Sequence, residues 1–274
     1  MAELNTNQMV ENSPRMGLDT PFQFQCGPER ECFNRCCADV AILLSPYDVL
    51  RLKKAMRMDS SAFIEKYTLT MRSRDSKLPV VFLRMDEESR KCPFVGESGC
   101  TVYRHRPWAC RMYPLGMAEP AGQNAPANRF YFLVKESLCQ GHQNGSERSV
   151  RDWIDNQELE PFDQMQAPFL ELMAHPQWQS PEALTQEKLD MYFMSIYDLD
   201  RFRRFVFDTR FLEFFDIDES RVQAIAQDDE ELLEFAFDWL AFSLFHEKRM
   251  KIKKNPPPMP RTVAEAQANS SACG

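Results

Sequence analysis

The 274-residue chain lacks any apolar run near the roughly 20 residues that span a bilayer, so no membrane helix is expected. Its opening stretch, MAELNTNQMVENSPRMG, lacks the apolar core of a secretory signal. Glycine is scarce, at nine residues, and no G-x-G-x-x-G, P-loop or H-E-x-x-H motif occurs. Net positive charge is missing as well. A formal charge of -8 and a pI near 5.2 disfavour nonspecific binding to nucleic acid or an anionic membrane. These absences leave a globular protein expected in the reducing cytoplasm, where thiols stay free or take metal.

Cysteine is what the chain has in excess. Eight of nine fall in the first 139 residues. Cys26, Cys32, Cys36 and Cys37 are spaced C-x5-C-x3-C-C, Cys92, Cys100 and Cys110 are spaced C-x7-C-x9-C, and Cys139 stands alone. Thiolate is the soft ligand for zinc, copper(I) and iron–sulfur clusters, so these eight are read as metal ligands. Arg90, Lys91, Arg104, Arg106 and Arg111 adjoin the second group and are placed to offset thiolate charge. Arg106 and Arg111 flank Cys110 and are expected to support the ligands from behind. Cys273, one residue from the end of a polar tail, is expected to stand outside the cluster.

Zinc ribbons use C-x2–4-C knuckles, and here the Cys32–Cys36 step alone falls in that range. Iron–sulfur clusters accept more irregular spacing, although the usual ferredoxin runs are absent too. Iron or an iron–sulfur cluster is therefore favoured, with zinc as the alternative. Adjacent residues usually direct their side chains apart. Cys36 and Cys37 are thus expected either to serve two centres, dividing the cysteines four and four, or to grip different metal atoms of one polynuclear cluster. His105 and His142 lie near the cysteines, but a four-thiolate site needs no histidine.

Along the chain, residues 1–20 read as a flexible leader, 21–145 as the cysteine module, 146–254 as a helical region and 255–274 as a disordered tail. Ser45, Pro46 and Asp48 have helix-start chemistry, with Val49, Leu52 and Met56 on one face. Asp59 suits the cap of a second helix. LPVVFLRMD (78–86) reads as a buried strand and RFYFLVKES (129–137) as a strand leading to Cys139. Ser149 and Asp152 suggest a capping box. DDEELLEFAFDWLAFSLFHEKRMKIKK reads as one helix, acidic at its start, basic at its end and stopped by Pro256–Pro258. The expected fold is α+β, a small loop-rich metal module with short strands against a mainly helical C-terminal half.

FQFQCGPERECFNRCC and CPFVGESGCTVYRHRPWACRMYP together resemble the YkgJ-type cysteine-cluster family. That family's pattern is CxxCxxCC, then C-x-[IVY]-Y-x-x-RP-x-x-CR-x-[FY]-P, then one late cysteine. Cys100, Tyr103, Arg106, Pro107, Cys110, Arg111 and Pro114 match the second block, Cys36 and Cys37 the CC step, and Cys139 the late cysteine. Upstream the chain departs, with C-x5-C-x3-CC in place of CxxCxxCC. The resemblance covers about residues 22–142 and implies a zinc- or iron-chelating domain. Flagellin lysine N-methylases share a similar module. The expected function is metal chelation in a structural, redox or metal-handling role, with the metal ion as partner and neither nucleic acid nor membrane. The alternative is a metal-dependent enzyme, such as a protein lysine N-methylase or an iron–sulfur oxidoreductase. No catalytic residue is identifiable.

Overall fold

A computed structural model describes residues 13–118, 129–143, 145–180 and 184–256. The fold is α+β: among the described residues there are nine short strands in small antiparallel sheets and ten α-helices, most of them after residue 149. Among the described residues, no helix is long and apolar enough to cross a membrane.

Local chemistry sets the early elements. Helix α1 (Pro46–Met56) starts in a capping box: the Ser45 hydroxyl accepts from the Asp48 amide, and Asp48 accepts from the Ser45 amide. Val49 and Leu52 are buried on its inner face, whereas Met56 is partly exposed. Helix α2 (Ser60–Tyr67) is capped by Asp59, which accepts from the Ser61 amide at 2.8 Å. Strand β4 (Pro79–Leu83) lies between β2 (Leu43–Leu44) and β3 (Thr68–Arg72). It is buried on one face, through Val81 and Leu83, rather than on both. Phe82 sits between the exposed Leu43 and Leu69 on the outer face.

The later helices are α4 (Val150–Asn156), α5 (Glu160–Met173), α6 (Gln186–Ile196), α7 (Leu199–Phe207), α8 (Phe211–Phe214), α9 (Glu219–Gln227) and α10 (Asp229–Phe245), after a short α3 (Trp108–Met112). Ser149 and Asp152 form the capping box of α4. Nine apolar residues of α10 are buried around its circumference, which makes it the central rod. Its observed end corrects the sequence expectation. The helix stops at Phe245, not at the prolines. His246 adopts φ 59°, and the Glu247 amide reaches back to the Ala241 carbonyl, a closing turn that satisfies the last carbonyls. The basic run beyond it turns at Lys248–Arg249 and then pairs Ile252 with Phe215, so those cations lie outside the helix.

One apolar core joins α1, α2 and β4 to α5, α6, α7 and α10, from Ile42 to Phe245. A second, smaller core lies under β1 (Pro21–Gln23), β7 (Leu115–Ala118), β8 (Phe130–Leu133) and α4. Of the leader stretch, residues 1–12 lie outside the described residues. Met16, however, is buried and exchanges both backbone hydrogen bonds with Tyr131. The tail with Cys273 also lies outside them.

Candidate metal centre

The eight cysteines from Cys26 to Cys139 are all free thiols. Four chain segments bring them to one region. Strand β1 pairs antiparallel with β9 (Glu147–Ser149), and the Gln25 amide then donates to the Gly141 carbonyl at 3.0 Å. This lays Cys26 beside the segment after Cys139. Gly141 permits the approach: a Cβ there would sit 2.4 Å from the Phe24 ring. Successive tight turns follow, and Cys36 and Cys37 share one turn of 3-10 helix over Arg35–Cys37. Arg30 donates to the Gln140 carbonyl at 3.0 Å, and the Gln140 amide donates to the Cys32 sulfur at 3.3 Å.

A second set of contacts ties Cys37 to the central cysteines. The Cys92 amide donates to the Cys37 carbonyl at 2.8 Å, next to an isolated bridge between Ala38 and Lys91. The Phe94 amide lies 3.5 Å from the Cys92 sulfur as a donor. Cys100 ends the hairpin of β5 (Val95–Gly96) and β6 (Gly99–Cys100). Asn34, left-handed at φ 65°, donates from its side chain to the Gly96 carbonyl at 3.1 Å and so clamps the first loop onto this hairpin. Cys110 lies in α3, whose first amide, that of Trp108, donates to Asp48 at 2.8 Å. One buried carboxylate thus caps α1 and α3 together.

Gly99 carries φ +111°, a conformation L residues rarely adopt, and a Cβ would meet the Phe33 ring at 3.2 Å. Gly99→Ala is expected to cost about 1–2 kcal/mol in a urea melt. It should also loosen the hairpin that carries Cys100.

Electrostatics sort the thiols into neighbourhoods. Cys26 is pushed up by burial and by Cys36, Cys32 and Cys139. Cys37 donates to the Cys36 sulfur. That bond lowers Cys36 and raises Cys37, on which Cys92 and Cys110 also act. Burial raises Cys92 and Cys100 and pushes Cys110 up to about 12, with Cys92, Asp48 and Cys100 adding to it. Arg106 opposes the shift at both Cys100 and Cys110. Protonated thiols of this kind release protons when they take a metal.

The two arginines differ from expectation in what they hold. The buried Arg111 guanidinium donates to the carbonyls of Arg106 at 3.2 Å, Gln157 at 2.6 Å and Arg104 at 2.5 Å, and it lies over the Phe162 ring. Arg106 donates to the Tyr103 carbonyl and the Gln157 side chain. Their bonds pin the turn before Cys110 to the α4–α5 junction. His105 accepts from Arg51 at 3.4 Å, and its pKa is lowered by burial and nearby cations. His142 contacts the Val134 carbonyl and the Phe24 ring.

Asn34, Gln157, Tyr113 and Glu136 lie around the thiols without a role in the sequence reading, and Asp48 has only its helix-start role there. The Tyr113 hydroxyl donates to Glu136 at 3.2 Å and lies close to Cys139. Asn34 alone had a usable signal, as an asparagine in a tight loop between cysteines.

Residues 25–144 match the family model CxxCxxCC, described as "Putative zinc- or iron-chelating domain". This segment is similar to that family's domain. The match spans all eight cysteines and excludes the helices after α4 begins. No curated protein and no solved structure matches the chain. The donor set of this segment fits a soft metal, since it offers free thiols and backbone N–H donors to sulfur. Among the described residues, no three His, Cys, Asp or Glu side chains are placed to hold an ion as they stand.

Proposed function

We propose that this segment chelates iron, as an iron–sulfur centre, through Cys26, Cys32, Cys36, Cys37, Cys92, Cys100, Cys110 and Cys139, in a reducing cytoplasm. The observation that carries this is the gathering of eight free thiols from four chain segments into one region. Cys92, Cys100 and Cys110 also pack against the larger core and Cys139 against the smaller. Burial favours the neutral thiol at Cys92, Cys100 and Cys110, so a metal bound there would displace their protons. Iron is favoured over zinc because the ligands come from irregularly spaced loops rather than paired knuckles.

The role that fits is redox or structural. A cavity of about 270 Å³ lies between α5 and α10, with Glu171, His175, Asp238 and Arg249 in its wall and no cysteine. The thiols therefore do not border it, which separates the chelating region from that pocket. Protein purified without oxygen is expected to carry iron with acid-labile sulfide and a visible charge-transfer band. Stoichiometric zinc without sulfide would replace iron by zinc and leave chelation standing. A chain without metal would remove the reading.

A further inference from the structure

We infer that the open edge of the β2–β4–β3 sheet docks an extended segment of a partner protein in which apolar residues alternate with acidic ones, added beside β3 as a fourth strand.

The outer face of this sheet is apolar across all three strands. Side chains alternate along a strand, so with Val81 and Leu83 buried inward, Val80 and Phe82 face out. The register sets Leu43 and Leu69 on either side of Phe82, and Met71 beside Val80. Leu43, Leu69 and Met71 are 52%, 45% and 55% exposed. Single exposed apolar side chains are ordinary, whereas a paired set on one sheet face marks an interaction surface.

The edge beside that face has free backbone groups. Strand β3 is an outer strand of the sheet, and among the described residues no strand pairs with its far side. The Ser73 amide donates to the Leu78 carbonyl and the Arg84 amide to the Tyr67 carbonyl, at the two ends of the β3–β4 ladder. Ladder bonds in an antiparallel pair fall on alternate residues. Leu69 and Met71 therefore bond β4, and Thr70 and Arg72 direct their N–H and C=O groups away from it. Thr68 is already satisfied: its amide donates to the Ile64 carbonyl, and its carbonyl accepts from the Arg84 guanidinium at 2.8 Å. Thr70 and Arg72 thus remain as a short template for a further strand.

Charge selects the occupant. From Leu69 to Arg84 the chain carries four cations, Arg72, Arg74, Lys77 and Arg84, against one acid, Asp75, a net of +3 in a chain of net -8. Arg72, Arg74 and Lys77 are exposed. A second copy paired along β3 would bring two such basic hairpins together, and like charges across a strand pair are unfavourable. A lipid surface would leave the N–H and C=O groups of Thr70 and Arg72 without partners. An acidic strand answers both objections. Its side chains opposite Leu69 and Met71 extend the apolar face, and those opposite Thr70 and Arg72 fall on the other face, where an acid meets Arg72.

The test titrates a fluorescein-labelled heptapeptide of alternating valine and glutamate into the full-length protein and reads anisotropy. Saturable binding that weakens as salt rises is expected. Thr70→Pro removes an N–H that β4 does not use, so it should weaken binding by about fivefold or more while the melting temperature holds. Methylating the peptide's own amides probes the same bonds in unaltered protein. Methyl groups on the glutamate amides, which face Thr70 and Arg72, should abolish binding, and those on the valine amides should not. Lysine in place of glutamate should abolish binding as well. A valine–glutamate peptide that does not bind overturns the proposal, whether a segment of the chain itself fills the edge or nothing does. Equal binding of the lysine peptide, or indifference to which amides are methylated, also overturns it. A dimer in light scattering that Thr70→Pro dissociates would assign the edge to a second copy instead. Cosedimentation with phosphatidylserine vesicles that Thr70→Pro leaves intact, and that Leu69→Lys with Met71→Lys abolishes, would assign the face to lipid instead.

Discussion

Lys53→Met is expected to lower the stability of the fold by about 2–3 kcal/mol, because it strips a partly buried carboxylate of its cation. Lys53 is 5% exposed and its ammonium lies 2.8 Å from Asp200 and 3.0 Å from Asp229. Asp229 keeps Arg203, whereas Asp200 is left with the Ser60 amide alone among these donors. Burial pushes the Asp200 carboxyl up, but the bonds from Lys53 and Ser60 outweigh it and hold the group below the ordinary range. A depressed carboxyl contributes stability that is present above its unfolded pKa, near 4, and is lost as pH falls through the folded value. In the variant the desolvation remains without its compensation, so protonation relieves Asp200 instead of harming it. Denaturant melts at pH 7 and below pH 4 should therefore show the deficit shrinking in acid. An equal deficit at both would mean that Lys53 contributes packing and not charge.

This pair also shows where sequence reading stops. Lys53 and Asp200 are separated by 147 positions. Nothing local distinguishes Lys53 from Lys54, a lysine on the same helix that stays exposed. Features set by short-range chemistry were legible: the capping boxes at Ser45 and Ser149, the cap at Asp59 and the strand around Val81. Features set by the meeting of distant segments were not. Asp48 was read as a helix-start residue, and its second bond, to the Trp108 amide, needed the fold. The end of α10 was misplaced because the basic run KRMKIKK looked like dipole chemistry, whereas His246 turns the chain first. How Cys36 and Cys37 share ligands has two solutions in sequence, because both depend on which distant thiols meet them.

The other large effect is expected at Arg111. Arg111→Ala removes a buried guanidinium and leaves the Arg106 and Gln157 carbonyls short of a donor, while the Arg104 carbonyl keeps Arg51. Each orphaned buried carbonyl costs about 1–3 kcal/mol, so a loss of about 3–5 kcal/mol follows after partial hydration. Packing over Phe162 is lost as well. The turn ahead of Cys110 should detach from the α4–α5 junction, and metal retention should fall through disorder of that ligand. Arg106 provides the contrast. Its charge lies close enough to Cys100 and Cys110 to favour their thiolates, so Arg106→Gln should weaken metal retention by about 10–100-fold. Arg106→Lys, which keeps the charge and loses the fork, should recover part of that loss. The expected pattern is a stability defect that dominates at Arg111 and a retention defect that dominates at Arg106. Urea melts alongside competition with a coloured chelator separate the two. If both variants melt like wild type and hold metal equally well, neither guanidinium supports the thiol region, and the turn before Cys110 must be held by Asp48 and the Trp108 amide instead.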